Sequence, residues 1–427
     1  MNTKGWDTVG LVKTEHVNQD IRNCWHLFNN EIKKTEVEYE LYGKFGPWQI
    51  TDGGSNKLIR FNIPFESGTF RLFDNAGNMA VDENSQKEYS LTNCECIVEM
   101  MMDFVNTDNN KKLLKLDIKQ LAKSRDEVAN SNEQGGWIVP ILFKGNIPAF
   151  YQPVILELVC QYLIGYPEQI NYVFASINFA QESGSWVTPV KCKYSYLDSK
   201  PSYMGVLSVC SNKDITNMPV DIDVDSLPGN PNSYFITSSD LFLLNVMVPS
   251  FIDFFKRSNS SDYRINDLGI LVNTRSLEMN SVKSGAIWYT PVIQGLEVSI
   301  LGEVLEVKIN GKCDLKAGIW MYFNGRFKAH PQLTNQVVEF RIDGTPSFDH
   351  HEDIPWYLSW LLPIVGLITK IVVSCISSDL MNSITKIFGE RMHIDNISPV
   401  AWTGNPKEVN LVNVKLDDSF IIEYIIN

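Results

Sequence analysis

One stretch constrains the fold more than any other: Ile354 to Gly389, IPWYLSWLLPIVGLITKIVVSCISSDLMNSITKIFG. No charged residue falls between Asp353 and Lys370. A membrane span needs about 20 apolar residues without interruption. Here Pro363, Gly366 and Lys370 break the run, and Ser374, Ser377, Ser378 and Asp379 make its second half mixed. A single membrane anchor is therefore disfavoured. A helix apolar on nearly all sides must be buried by the rest of the chain, so the sequence predicts a long central helix at about 356–388, enclosed by strand-rich segments. Pro363 removes a backbone donor and clashes with the preceding turn, which should bend or divide it.

The segments on either side supply the strands. Thr14 is placed to cap a helix from Glu15 to about Lys33, with Val17, Ile21, Cys24, Trp25 and Phe28 on one face. TEVEYELYGKFGPWQI, LIRFNIPFESGTFRLF and EYSLTNCECIVEMMMDFV alternate as strands do, with turns expected at Asp52-Gly53-Gly54 and Glu66-Ser67-Gly68. Residues 121–136 read as a loop or short helix before the strand WIVPILF, and Pro153 opens a second helix, VILELVCQYLIG, closed by Gly165. YVFASINF, VTPVKCKYSYL, GVLSVCS and MPVDIDV again read as strands.

LPGNPN, at 227–232, marks a junction between halves at 1–230 and 231–427. Ser238, Ser239 and Asp240 offer capping oxygens to the helix LFLLNVMVPSFIDFFK. A meander follows, with hairpin turns expected at Asn310-Gly311 and Asn324-Gly325. The order helix, meander, helix, final strands thus occurs twice, which predicts an α+β fold with antiparallel sheets packed on helices. Leu241, Leu244, Val248, Phe251 and Phe255, with Trp356 and Trp360 of the central helix, are candidates to line a hydrocarbon slot between helix and sheet; core packing is the competing use of the same residues.

A net charge of -13 disfavours a general nucleic-acid binder, because neutralising phosphates requires local positive charge. Lys111, Lys115 and Lys119 are spaced to share one face if their segment is helical, a candidate patch for anionic headgroups. MNTKGWDTVG lacks the apolar core of a signal peptide. The eight cysteines form no disulfide framework in so long a chain and read as reduced, buried thiols, with Cys94 and Cys96 on one strand face. His350-His351-Glu352-Asp353 is the densest group of potential ligands, yet HExxH is absent and further zinc ligands cannot be assembled. Asp221, Asp223 and Asp225 alternate without the spacing of a calcium loop. No Walker sequence, nucleotide-binding glycine fingerprint or GxSxG elbow is present, so no cofactor and no catalytic residue are assigned.

MNTKGWD, FGPWQITDGGSNKLIRFNIPF, VFASINF and SYFITSSDLFLLNVMVP together carry a resemblance. Over essentially its whole length the chain resembles the OrfX-type family of non-toxic proteins, with its 47-kilodalton members, from botulinum-type neurotoxin gene clusters that lack haemagglutinins. That family is similar in fold to the tubular lipid-binding (TULIP) superfamily, in which a strongly curved antiparallel sheet wraps long helices. The resemblance implies a non-enzymatic accessory protein made in the bacterial cytoplasm and released with the toxin. Its implied partners are other toxin-cluster proteins or the neurotoxin complex, and phospholipid or phosphoinositide. A lipid-binding or lipid-transfer module is the alternative it leaves open.

Overall fold

The structure is a computed structural model that describes residues 1–73, 88–107, 110–130, 135–167, 172–179, 186–284, 286–334, 337–344, 347–355, 365–366, 368–374, 378, 399–402 and 409–427. The alternating segments form an α+β fold dominated by curved, almost wholly antiparallel sheets. One eight-stranded sheet is built from residues 31–144 and a second from residues 263–353. A four-stranded sheet joins Met102–Asn106, Lys111–Leu116 and Ala175–Asn178 to Val400–Trp402.

A six-stranded sheet ties the chain ends together. Thr8–Lys13 lies at its centre, paired on one side with Tyr203–Val209 and on the other with Ser233–Ser238, which in turn pairs with Ser419–Ile426. These strands are buried at nearly every position, because both faces are covered. One face enters a large core fed by all the larger sheets. The other packs Trp6, Val9, Leu11, Leu207 and Tyr234 against Ile222, Val224 and Leu227 of a segment laid across the sheet. Alternation vanishes from such sequences because neither face meets water.

Several expected turns are strand interiors. Val304–Asp314 runs straight through Asn310-Gly311, Trp320–Thr334 through Asn324-Gly325, and Ile59–Leu72 through Glu66-Ser67-Gly68. Asn310 pairs with Asn324 in the ladder instead of turning. The glycines serve close approach. A side chain at Gly311 would place its Cβ 2.3 Å from the Val292 carbonyl oxygen and 2.5 Å from the Phe323 ring; one at Gly325 would meet the Phe348 ring at 2.8 Å. Each glycine faces that phenylalanine directly across the ladder. Missing Cβ atoms let the sheet fold its aromatic rings over its own backbone, which bends it without breaking it. Ile59–Leu72 changes partner between Pro64, paired with Glu95, and Phe65, paired with Phe45, and Gly68 faces Gly43 within the second ladder. The actual reversals fall at Gly302 and at 316–318, where Lys316, Ala317 and Gly318 all take positive φ. The turn expected at Asp52-Gly53 is present.

Helix α1, Thr14–Cys24, ends nine residues before Lys33, where its pattern suggests it should. A 3-10 turn, Trp25–Leu27, closes the helical run, and Glu31–Thr35 becomes an edge strand whose Ile32 is buried while Glu31 and Lys33 face outward. Thr14 does not cap the helix; its hydroxyl hydrogen-bonds Ser202 Oγ at 2.6 Å, and Lys13 holds the cap position. The short helix α2, Arg125–Asn130, and α3, Gln152–Gly165 with Pro153 in its first turn, stand where the sequence puts them.

Ser238 accepts a hydrogen bond from the Leu241 amide at the start of α4, Ser239–Phe242, which continues through a π-turn, Leu243–Met247, into α5, Val248–Phe254. The wider π-turn sits one turn before Pro249 and relieves the clash of its ring with the preceding carbonyl. Of the central helix at 356–388, residues 365–366, 368–374 and 378 are described, and all are helical. Val365, Thr369 and Val372 are buried whereas Lys370, Ser374 and Ser378 are exposed. That part of the helix is one-sided, a correction to the all-round apolar reading. Among the described residues no helix is long and apolar enough to cross a membrane.

Candidate binding surfaces

The sequence candidates do not gather into one site. On α4 and α5, the face turned inward is Phe242, Leu243, Met247, Val248 and Phe251, while Leu241 is half-buried and Leu244 is exposed. The π-turn changes the helical phase between these residues, so the sequence spacing of Leu241, Leu244, Val248, Phe251 and Phe255 does not define a single stripe. Phe242 stacks on Phe420 with centroids 4.8 Å apart. Phe251 lies between Tyr263 at 6.0 Å and Phe255 at 6.1 Å. These rings are in mutual contact as core. Trp356 and Trp360 lie outside the described residues.

Lys111 and Lys115 are on a strand, Lys111–Leu116, rather than on the helix their spacing suggested. Leu114 is the buried member of that strand, so Lys111, Leu113 and Lys115 share the opposite face. Asp103 stands across the ladder from Lys115. Lys119 follows the strand and pairs with Asp117 at 2.8 Å. A basic stripe is thus reduced to lysines with carboxylates beside two of them. The intervening Lys112 turns its ammonium over Phe179, 4.6 Å from the ring centroid.

Two concavities have defined walls. A crevice of about 10 Å³ lies between the segment that follows α1, helix α3 and the strand ending at Phe45, lined by Trp25, Phe28, Phe45, Trp48, Tyr162 and Leu163. Its volume is near that of one water. The indole N–H groups of Trp25 and Trp48 are buried without a hydrogen-bond partner. An open cleft of about 390 Å³ is walled by Ser55 and Asn56 on one side, Tyr196 and Asp198 on a second, and the segment Asp221–Asp225 on a third. That segment is not a strand, as MPVDIDV had suggested. Ile222 and Val224 bury and the three aspartates project, but no ladder forms because the segment lies across the sheet face. Lys4 donates to Asp221 at 2.9 Å and holds its carboxyl below the usual range. Burial pushes the Tyr196 phenol up to about 12 while its hydroxyl donates to the Thr51 carbonyl.

Neither concavity joins a nucleophile to a base. His350 and Glu352 share a strand face with 3.8 Å between Nε2 and Oε1, and His351 stacks on Tyr322 on the other face. Among the described residues no group of three or more His, Cys, Asp and Glu side chains could hold a metal ion. The described cysteines are free thiols. Burial raises the Cys96 and Cys160 thiols strongly and takes Cys192, Cys210 and Cys313 to about 12, so they stay protonated and unreactive.

The ionic pairs include buried carboxylates that sequence reasoning missed, Glu99 and Glu306 among them. Glu99 is fully buried and receives Arg60 Nε at 2.9 Å and Arg125 Nε at 2.6 Å. Glu306 is held by Arg326 Nε at 2.8 Å and Lys308 Nζ at 2.9 Å. Both knots are structural. Their sequence signal was weak, since Glu306 and Glu99 fall on the face of their strands that alternation assigns to polar residues.

Residues 3–135 and 167–394 match the family model described as OrfX-like: Protein OrfX2/OrfX3/P47. The chain is 25% identical over 451 aligned positions to Protein P47 of Clostridium botulinum (strain Kyoto / Type A2), covering 99% of each chain. It is 23% identical over 483 positions to Protein OrfX3 of the same strain, covering 99% of this chain and 96% of that one. The solved structure of P47 from Clostridium botulinum A2 superposes with a TM-score of 0.80 at 22% identity, covering 100% of this chain and 98% of the other. P47 of Clostridium botulinum E1 gives 0.79 over 99% of each.

Proposed function

The chain belongs to the OrfX-like family, accessory proteins of clostridial toxin gene clusters, and from that premise we propose that it is a non-enzymatic component that acts by assembling with other proteins of its cluster. The observation that carries this reading is likeness over the full length, in sequence and in fold, to a P47 protein. What the chain offers a partner is surface. Many of its buried aromatics are in contact with one another, its buried thiols are protonated, and the buried carboxylates Glu99 and Glu306 are neutralised by arginine and lysine. We read the architecture as TULIP-like, with halves at 1–230 and 231–427 that each wrap a curved sheet on helices. The protein is released with the toxin, and the partner is a toxin-cluster protein or the neurotoxin complex.

Native mass spectrometry of the purified chain titrated with each cluster protein tests the assembly. A defined stoichiometric complex is expected. A chain that stays monomeric against the complete set of cluster proteins refutes it.

A second reading, a lipid-binding module, rests on the resemblance to the TULIP fold; the aromatic crevice beside α3 has about the volume of one water, so an acyl chain would have to part helix and sheet to enter. Lipid extraction of the same preparation decides it: a stoichiometric acyl lipid supports the slot, and lipid-free protein removes it.

A further inference from the structure

We propose that the aromatic crevice beside α3 is a built site for one ordered water, held by the indole N–H groups of Trp25 and Trp48 and by the side-chain oxygen of Asn29. All three residues belong to its wall. Size sets the first limit: at about 10 Å³ the crevice takes one water and nothing larger.

Hydrogen bonding sets the second. The Nε1 atoms of Trp25 and Trp48 are buried with no protein partner, and Trp48 as a whole is 4% exposed. An indole has a donor and no acceptor, so each N–H is satisfied only when an acceptor enters beside it. The two rings lie 6.3 Å apart with planes tilted by 42°, a separation that one oxygen bridges. Carbonyls at the same join are already engaged. That of Glu31 accepts from the Tyr162 hydroxyl at 2.8 Å, and that of Asn30 from the Phe45 amide at 2.7 Å. The water must also donate. Asn29 Oδ1 accepts from the Glu31 amide at 3.3 Å and has a second lone pair for it. Two indoles and one amide oxygen give the water about three hydrogen bonds, the usual complement of a buried one.

Charge sets the third. None of the described residues lining the crevice is Lys, Arg or His, so a halide or other anion would lose its hydration with no cation in return. A neutral acceptor is what the wall fits. Bound there, the water acts as a pin. Trp25 and Asn29 follow α1, Trp48 lies between Tyr39–Phe45 and Gln49–Ile50, and Tyr162 and Leu163 are on α3. One oxygen thus closes the join of these three parts of the chain. It also gives the tryptophan of FGPWQI a use that packing alone does not, because its polar tip lies inside an otherwise apolar wall.

The experiment is water-selective NOE spectroscopy of the full chain, deuterated and isotope-labelled at tryptophan, with the two indoles assigned from Trp25→Phe and Trp48→Phe. Both indole protons should show direct cross-peaks to a long-lived water, and both should exchange slowly with solvent. Asn29→Ala removes the acceptor and should speed that exchange about fivefold. Asn29→Asp, which keeps a carbonyl oxygen in place, should leave it slow. Asn29 is exposed, so both variants should fold. Cross-peaks at neither indole, or at only one, overturn the proposal, as does unchanged exchange in Asn29→Ala. Movement of both indole signals on adding bromide but not sulfate also overturns it, because the occupant is then an anion.

Discussion

The account of sheet curvature can be tested at two glycines that local sequence rules rank in the wrong order. Asn310-Gly311 has the composition of a tight hairpin turn, whereas Gly302 stands in the less distinctive GEV. The structure reverses their roles. Gly302 has φ +57° with nothing within 4 Å of a would-be Cβ. Asparagine tolerates that backbone region, so Gly302→Asn should cost no more than about 1 kcal/mol. Gly311 is buried within a strand, with the Val292 carbonyl oxygen 2.3 Å and the Phe323 ring 2.5 Å from its Cβ position.

A side chain at Gly311 must displace both. The ring can rotate only by giving up burial that now leaves Phe323 1% exposed, and the carbonyl cannot move without opening the ladder. Overpacking of this kind costs about 1–3 kcal/mol. An amide buried there without a partner adds about 1–3 kcal/mol more. Gly311→Asn should therefore cost about 4 kcal/mol, and Gly311→Ala, lacking the amide, about 2–3 kcal/mol. Urea unfolding of the four proteins, followed by tryptophan fluorescence, measures the difference. Comparable losses at Gly302 and Gly311, or a silent Gly311→Asn beside a damaging Gly302→Asn, would sink the curvature argument and restore Asn310-Gly311 as a turn.

Two further expectations concern the core and its charges. Phe251→Ala removes a fully buried ring packed on Tyr263 and Phe255 and should destabilise by about 3–5 kcal/mol; an unchanged urea midpoint would mean the ring faces open space rather than core. Burial alone would raise the Glu306 carboxyl, but hydrogen bonds from Lys308 and Arg326 outweigh it and hold the group below the usual range. Its folded value being depressed, its contribution is complete above the unfolded pKa of about 4.3 and is lost as pH falls through the lower folded value. Melting temperature should thus fall more between pH 5 and about pH 3 for the wild type than for Glu306→Gln, and parallel curves would exclude the linkage.

What the sequence made legible is what local chemistry decides. Pro153 announced α3 and Ser238 announced α4, because caps and first-turn prolines act within a few residues. Alternation found the strand stretches at 296–301 and 320–325 because one face of each is wet, although it ended the second at Asn324-Gly325, inside Trp320–Thr334. It passed over Thr8–Lys13, whose two faces are both dry and whose partners lie about 190 and 220 positions along the chain. Asn310-Gly311 misled because glycine beside asparagine has two uses, left-handed turning and close approach, and only a cross-strand phenylalanine distinguishes them. The lysines failed for a related reason: a spacing of four places residues on one face of a helix and equally on one face of a strand. The slot candidates on α4 and α5 were identified as apolar, but a π-turn changed which of them face inward.

These features bear together on how the protein works. Thr8–Lys13 and Tyr203–Val209 precede residue 231, while Ser233–Ser238 and Ser419–Ile426 follow it, yet all four belong to one sheet. Sliding the chain before residue 231 against the chain after it would require breaking buried ladder hydrogen bonds between Thr8–Lys13 and Ser233–Ser238, each expensive where water cannot replace it. Adjacent strands in this sheet are also locked by side chains from both cores, so a register shift of one residue would exchange the residues facing them. Surfaces contributed by residues before and after 231 are therefore held in fixed relation, the open cleft at Asp198 and Asp221–Asp225 on one part of the chain and the exposed Ile287 and Trp288 on another. An assembly component needs such a relation more than it needs a moving cleft, because a partner on one surface is then positioned relative to whatever holds the other.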